Sequence, residues 1–415
     1  MAAVIVAAQK NACGQEALRI ATAADEAATA AQNQREGDAL GSYNVLVGPT
    51  AWRFSSGLGF SYNNNIRTSD TPISDFILTP NLSSLMHWPV TLNNSLDLSM
   101  NVGYEEYLQH SVYNQFYINS GSGLSFDIFV GDCKINLHDQ ISITQSSYQN
   151  PGVNSGSNNT QYLQNTVGAS AEFNLGKLVP TVGFDHANYM SLATSSTPDT
   201  VSENFTGSLG LPVREDVMVG VEGGGSLISY SYSSGTPASS LDITGASQWS
   251  AGVFGNEQIT EYISVQLHGG YTEYLPNSTA GQNSNNDNSL YFSASIVHQL
   301  NQWLNYNITA GRSTDLSSYG QVQTRTYVQF NPTCTLFKQY TVSTPIAYQS
   351  GNEPGSSLSS SAPTYDQFII GISVSRPITQ KLSASLGYQY IQQSSQVATL
   401  AYSVDIISLN LSYQF

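Results

Sequence analysis

The sequence predicts an all-β protein: a transmembrane antiparallel up-and-down β-barrel of about eighteen strands, with a short N-terminal helix. Three observations predict it. From Tyr43 onward, apolar and small polar residues alternate with a period of two, as in strands whose two faces meet different surroundings. Charged residues make up only 10% of the chain, whereas a soluble domain averages roughly 25%. Long polar connections alternate with short ones, which is typical of outer-membrane barrels.

Residues 1–42 are predicted to form a separate segment ahead of the barrel. The opening MAAVIVAAQKNACGQEA has a short apolar core but lacks the basic residues that begin an export signal, so we interpret it as the remnant of such a signal. Residues 14–36 are rich in Ala, Glu and Gln, which favours one helix. This helix is expected to lie in the periplasm, to plug the barrel or to contact a partner.

Residues 43–415 are predicted to form the barrel itself. Long links such as NNNIRTSDTPIS and SGNEPGSSLSSSAPT alternate with short ones such as GDCK and RPITQ. Counting strands between these links gives eighteen. An even number places both ends of the barrel segment on the periplasmic side. The last strand, which ends in SLNLSYQF, is then expected to pair with the first and close the barrel.

Other fold classes fit the sequence less well. No stretch approaches the ~18 to 20 continuous apolar residues of a membrane helix, which excludes a helical membrane protein. A soluble β-sandwich usually carries charged residues on its exposed faces, whereas here the polar face is mostly Ser, Asn, Gly and Thr. A β-helix would show short coil repeats, and the sequence contains none.

Several segments resemble a known family. YNVLVGPTAWRFSSGLGFSYNNNI, followed by SDFILTPNLSS and GYEEYL, is similar to the start of β-barrel porins of Gram-negative outer membranes, several of which are found near exopolysaccharide or exosortase systems. GDCKINLHDQISITQ is similar to a later strand of the same group, and the terminal aromatic resembles the outer-membrane assembly signal. The resemblance covers roughly residues 43–150 and the C-terminus. It implies a barrel in the cell outer membrane and no catalytic residue.

Charge and cysteine content limit the expected partners. The formal net charge of −16 argues against nucleic acid, which would need a basic stripe. The three cysteines are far apart and form neither a disulfide framework nor a zinc spacing. The expected partners are outer-membrane lipid and lipopolysaccharide, small hydrophilic solutes, and either a second copy of the chain or a periplasmic protein bound through the N-terminal helix.

The sequence contains no catalytic or metal motif, so neither an enzyme nor a cofactor is expected. His138 stands beside Asp139 and Asp185 beside His186, but neighbours in a strand point to opposite faces, so neither pair can act as a dyad by itself. The run VEGGGS is expected to continue a strand, not to open a phosphate-binding helix. An outer-membrane hydrolase would need a histidine and an acid from different strands to meet at the outer rim.

The leading hypothesis is a porin-like channel for passive diffusion of ions and small hydrophilic solutes. The alternative is a structural or export component of an envelope or surface-polysaccharide assembly. Alternation directs six acids and three bases inward, which favours weak cation selectivity, although single charges also serve to pair across strands. The predicted pore-lining residues are Arg53, Asp97, Glu105, Asp127, Glu172, Asp185, Glu222, Arg325 and Lys381.

Overall fold

The computed structural model describes residues 43–144, 161–192, 199–231, 243–278, 287–316, 322–337, 339–352 and 364–415. These residues form one antiparallel sheet, in which most strands pair with the strands next to them in sequence. The last strand also pairs with the second, so the sheet closes into a barrel. The segment 1–42, with its predicted helix, lies outside the described residues.

The sheet consists of twenty strand segments, and two single-turn 3-10 helices lie in the connections between strands. No helix in this part of the chain is long and apolar enough to span a membrane. The strands are β1 (Val45–Val47), β2 (Thr50–Asn63), β3 (Asp75–Pro89), β4 (Ser95–Tyr107), β5 (Gln115–Val130), β6 (Cys133–Thr144), β7 (Tyr162–Phe173), β8 (Val179–Ser191), β9 (Asp199–Arg214), β10 (Val217–Ser231), β11 (Ile243–Thr260), β12 (Ile263–Ser278), β13 (Asp287–Gln299), β14 (Leu304–Leu316), β15 (Val322–Leu336), β16 (Tyr340–Ser343), β17 (Ile346–Asn352), β18 (Thr364–Pro377), β19 (Leu382–Ser395) and β20 (Tyr402–Gln414), and the 3-10 helices are Ser111–Tyr113 and Ala398–Leu400.

The twenty segments make eighteen barrel strands, which confirms the predicted number. β16 and β17 are two halves of one strand, because both pair with β15 on one side and with β18 on the other. Pro345 lies between the halves and has no N–H to donate, so the ladder is interrupted there. β1 is short and pairs with β2 at the edge of the wall.

The barrel closes between β2 and β20. The two strands pair from Ser55 opposite Gln414 to Asn63 opposite Ile406, as the sequence predicted for the first and last strands. Beyond this ladder, the side chain of Asn44 links the segment before β1 to β2 and to the C-terminal residue Phe415. Its Nδ2 donates to the carbonyl oxygens of Phe54 and Phe415, both at 2.9 Å, and its Oδ1 accepts the Phe54 N–H at 3.1 Å. One side chain therefore completes the hydrogen bonding of the seam.

The two ends of the barrel differ in the length of their connections. At one end, here called the turn end, two residues join β9 to β10 (215–216) and two join β11 to β12 (261–262). At the other end, the loop end, residues 64–74 connect β2 to β3. The predicted alternation of long and short connections is confirmed.

The two faces of the wall differ in polarity. In β9, Phe205 and Leu209 are 50% and 41% exposed on the outer face, whereas Ser202 and Asn204 are buried on the inner face. A closed barrel has no second sheet to cover its apolar outer face, so only hydrocarbon can remove that surface from water. Further exposed apolar residues on this face include Phe54, Leu58, Phe60, Leu82, Val182, Phe184, Val221, Val253, Leu267, Phe292, Val328, Ile372, Leu386, Ile407 and Leu409.

Candidate functional site on the inner wall

The predicted pore-lining residues lie at separate places around the barrel. Asp97, Asp127 and Asp185 are buried, whereas Glu172 and Lys381 are exposed at the turn end. Lys381 belongs to the turn between β18 and β19, although alternation grouped it with the strand. By element, the nine are Arg53 (β2), Asp97 and Glu105 (β4), Asp127 (β5), Glu172 (β7), Asp185 (β8), Glu222 (β10), Arg325 (β15) and Lys381 (turn β18–β19).

Charge is separated between two sides of the wall. The six acids all lie between β4 and β10, whereas Arg53, Arg325 and Lys381 lie between β15 and β2 across the seam. Lys134 on β6 is the exception, with its Nζ 3.8 Å from Asp127 Oδ2. The inner wall therefore has an acidic side and a basic side.

A buried ion pair bridges three strands on the acidic side. His138 on β6 donates from Nε2 to Asp185 Oδ1 on β8 at 2.7 Å, and both side chains are less than 10% exposed. Gly168 on β7 lies between them in register. A Cβ at Gly168 would overlap both Asp185 Oδ1 and His138 Nε2. The glycine is required because it leaves room for the pair to cross the intervening strand.

Both ring nitrogens of His138 have partners in the wall. Asn136 Nδ2 donates to Asp127 Oδ1 at 2.7 Å and to Ser125 Oγ at 2.8 Å, so Asn136 Oδ1 faces His138 Nδ1 at 2.9 Å. With Asp185 at Nε2, the ring is therefore held in one orientation from both sides.

A second buried group lies farther along the acidic side. Glu222 on β10 accepts from His268 Nδ1 at 2.9 Å and from the Tyr291 hydroxyl at 3.0 Å. Tyr291 reaches Glu222 from β13 by lying over Gly252 and Gly270, where a Cβ would collide with its hydroxyl. These contacts join β10, β12 and β13 through side chains, across the glycine of β11.

The two acids of β4 also have partners. Asp97 accepts from His87 Nδ1 at 2.8 Å, and the two residues are directly opposite each other on β4 and β3. Glu105 Oε2 accepts from Gln115 Nε2 at 2.6 Å and from the Tyr107 hydroxyl at 3.4 Å. Five of the six acids, Asp97, Glu105, Asp127, Asp185 and Glu222, are therefore hydrogen-bonded members of the wall.

Sequence reasoning missed the partners of these acids. It stated that neither His138–Asp139 nor Asp185–His186 forms a dyad, and the structure confirms this, since each pair is split between the two faces. It did not foresee that His138 and Asp185 meet across β7. Glycine on the inner face of an intervening strand is the signal that could have suggested the contact. The missed partners are His87, Tyr107, Gln115, Lys134, Asn136, His138, His268 and Tyr291.

The chemistry of this wall is ionic and hydrogen-bonding. His138 has both nitrogens engaged, so it has no free nitrogen with which to accept a proton. Within the described ranges, no group of three or more His, Cys, Asp and Glu residues is arranged to hold a metal ion. The arrangement orients charges towards the barrel interior.

The closed wall, the apolar outer face and the polar inner face define a transmembrane β-barrel of the outer-membrane type. All three features come from the chain's own strands and burial pattern.

Comparison with known proteins gives structural likeness at low identity. No family model matches the sequence, and no curated protein is similar to it in sequence. The crystal structure of Pseudomonas aeruginosa OccK5 (OpdH) is similar at a TM-score of 0.48 and 10% identity, covering 90% of this chain and 99% of that one. The crystal structure of Acinetobacter baumannii OccAB3 is similar at a TM-score of 0.48 and 10% identity, covering 89% of this chain and 100% of that one. The crystal structure of P. aeruginosa OccK2 (OpdF) in complex with glucuronate is similar at a TM-score of 0.49 and 8% identity, covering 90% of this chain and 99% of that one.

Proposed function

We propose that the protein is an outer-membrane channel for passive diffusion of ions and small hydrophilic solutes. The observation that supports this function is the closed eighteen-strand wall with polar residues inside and apolar residues outside. Barrels of about 16 to 18 strands have a circumference that leaves an aqueous passage. The buried ion pairs hold charged groups of the wall in fixed positions along that passage.

Single-channel conductance in a planar bilayer tests this proposal. The full chain and a chain lacking residues 1–42 are folded in detergent, checked by circular dichroism and compared. Steady current steps in both forms are expected from an open channel. Steps only after truncation would make residues 1–42 a plug. The absence of current steps from both folded forms would contradict the channel function and favour the structural or export role.

The proposed channel is weakly cation-selective, because acids outnumber bases on the wall. His87, His138 and His268 each contact one of these acids and hold its carboxylate in place on the wall.

Reversal potentials under a tenfold KCl gradient measure this selectivity. A cation-selective potential is expected, because rings of carboxylates favour cations in pores. An anion-selective channel would contradict the proposal.

A further inference from the structure

A group of polar side chains lies on the outer face of the wall, across β6 to β9. His186 on β8 is directly opposite Glu203 on β9 and Val167 on β7. Val167 is in turn opposite Asp139 on β6, so one row of side chains crosses four strands. Two asparagines lie opposite each other in the next row towards the loop end. We call the group the outer patch, and it consists of Asp139, Asn165, His186, Asn188 and Glu203.

The surroundings of the outer patch are apolar. Leu124 on β5 and Leu227 on β10 continue the row on either side, and both are exposed. Phe184 and Phe205, opposite each other in the next row towards the turn end, are 40% and 50% exposed, with ring centroids 5.1 Å apart. Asp139 stands near the middle of β6, away from both ends of the barrel. The outer patch therefore lies within the apolar band that meets hydrocarbon.

Hydrogen bonds within the outer patch satisfy only part of its polar atoms. Asp139 Oδ1 accepts from Asn165 Nδ2 at 2.7 Å. His186 has Glu203 Oε1 at 2.8 Å from Nδ1 and Asn188 Nδ2 at 3.0 Å from Nε2. Within the described ranges, one N–H of the Asn188 amide and the second carboxylate oxygens, Asp139 Oδ2 and Glu203 Oε2, have no partner. Lipid tails offer these atoms no hydrogen bond, and charged groups that face lipid are unfavourable.

We propose that the outer patch is the centre of a contact between two copies of this chain. Both copies stand in the same orientation in a membrane, so the two-fold axis between them lies along the membrane normal. With that axis between β8 and β9, Glu203 of each copy meets the partner subunit's His186 and the partner subunit's Asn188. An oxygen without a donor then faces an N–H without an acceptor. In the row towards the turn end, Phe184 meets the partner subunit's Phe205, so the surface is self-complementary, as a two-fold contact requires.

A second copy fits the outer patch better than lipid or lipopolysaccharide does. Side-chain hydrogen bonds between the membrane-spanning elements of two proteins supply what hydrocarbon cannot. The patch has two carboxylates and no Lys or Arg, so it does not attract the phosphate groups of lipopolysaccharide. Gly207 and Gly223 lie opposite each other in the row beyond the two phenylalanines, and small residues there allow two walls to approach closely.

The contact is reversible, because each barrel completes its own backbone hydrogen bonds without a partner. Barrels that are diluted in lipid separate, and the outer patch of each then meets hydrocarbon. Association therefore depends on the ratio of protein to lipid or detergent. The contact needs no conduction, so its tests are independent of those of the channel function.

Chemical cross-linking in vesicles tests the position of the contact. The native cysteines are first replaced by Ser, and single cysteines are then introduced as Phe184→Cys or Phe205→Cys. A bis-maleimide linker of about 10 Å matches the usual spacing of two packed sheets. Random mixing of the two variants makes about half of all dimers mixed, so cross-linking of up to about half is expected in the mixture and almost none in either variant alone.

A mixture of Leu386→Cys and Leu409→Cys barrels is the control for cross-linking. These residues are opposite each other on the outer face of β19 and β20, far from the outer patch, and both are exposed. The control mixture is expected to give no more cross-linked dimer than its two variants alone. Equal cross-linking in the two mixtures would overturn the proposal, because random collision would then explain it.

Sedimentation equilibrium in density-matched micelles measures the strength of the contact. The wild-type full chain is expected to show a monomer–dimer equilibrium. His186→Leu with Glu203→Leu is expected to raise its Kd about five- to tenfold, the scale for loss of two hydrogen bonds within a membrane. Tyr348→Leu with Asp366→Leu removes another exposed hydrogen-bonded pair, 2.7 Å apart and outside the patch, and should change the Kd less than about twofold.

Two results of this sedimentation experiment would overturn the proposal. An equal rise of the Kd in both double variants would mean that the outer patch has no special part in association. A wild type that stays monomeric at every protein concentration would mean that lipid or a different membrane protein covers the patch.

Discussion

Two histidine–acid pairs from the same stretch of chain occupy opposite faces of the wall. On the inner face, His138 and Asp185 are 7% and 3% exposed and bridge an intervening strand. On the outer face, His186 and Glu203 are 39% and 38% exposed and lie directly opposite each other on β8 and β9. The difference shows that Asp185 and His186, which are neighbours on β8, face different surroundings: the polar inner wall and the apolar outer face. The inner pair is part of the packed wall, whereas the outer pair lies among apolar residues such as Phe184.

Asp185→Asn is expected to have the largest effect, because it removes the carboxylate that pairs with the buried His138 ring. The free energy of unfolding should fall by about 3 to 5 kcal/mol. Urea titration of the barrel in detergent micelles measures it. Asp139→Asn is the control, since Asp139 is an exposed acid on the outer face, and it should cost less than about 1 kcal/mol. Equal losses in both variants would contradict the distinction between the faces.

Gly168→Ala is expected to have an intermediate effect on the same titration. The added methyl collides with His138 and Asp185, and overpacking of this kind costs about 1 to 3 kcal/mol. Gly207→Ala is the control, because the nearest atom to a Cβ there is the Thr181 carbonyl oxygen at 3.8 Å. In an Asp185→Ala background the cost of Gly168→Ala should shrink, since the two sites are coupled. A full cost in that background would show that the strain arises elsewhere.

Replacing the outer pair should have the smallest effect, and in the opposite direction. Polar charged groups on a lipid-facing surface are unfavourable, so His186→Leu with Glu203→Leu is expected to raise the free energy of unfolding by about 1 kcal/mol in lipid vesicles. Unfolding by urea from vesicles measures the change, and the same variant in micelles gives the comparison. A loss of stability in vesicles would mean that this face contacts something other than hydrocarbon.

The barrel itself could be predicted from the sequence. Alternation with a period of two is a local property, so strands such as β19 and β20 are visible in the residues alone. The polar links mark where each strand ends, which gave the count of eighteen. Closure followed because a membrane barrel tolerates no unpaired edge. The break at Pro345 was not predicted, because both of its halves pair with the same neighbours and this pairing is a tertiary property.

The contacts of the wall could not be predicted in the same way. Which residues of β6 and β8 meet depends on the register of both with β7, and a shift of one residue would exchange the faces. His138 and Asp185 are 47 residues apart, and only the position of Gly168 between them records the contact in the sequence. Lys381 was assigned to a strand because the alternation of polar and apolar residues in β19 extends back into the turn between β18 and β19. The pore-lining role of the nine residues stays a prediction.

The bridge made by Asn44 has a consequence for the order in which the protein assembles. Nearly all strand pairs of the wall are local hairpins, but Asn44 and Phe415 are 371 residues apart. Joining ends that far apart costs about 2 to 3 kcal/mol more loop entropy than closing a hairpin of about 20 residues. The seam is therefore expected to form last, after the hairpins have aligned its two edges. Until β2 and β20 pair, the sheet has two unpaired edges, and their pairing is the step that makes the wall compatible with hydrocarbon.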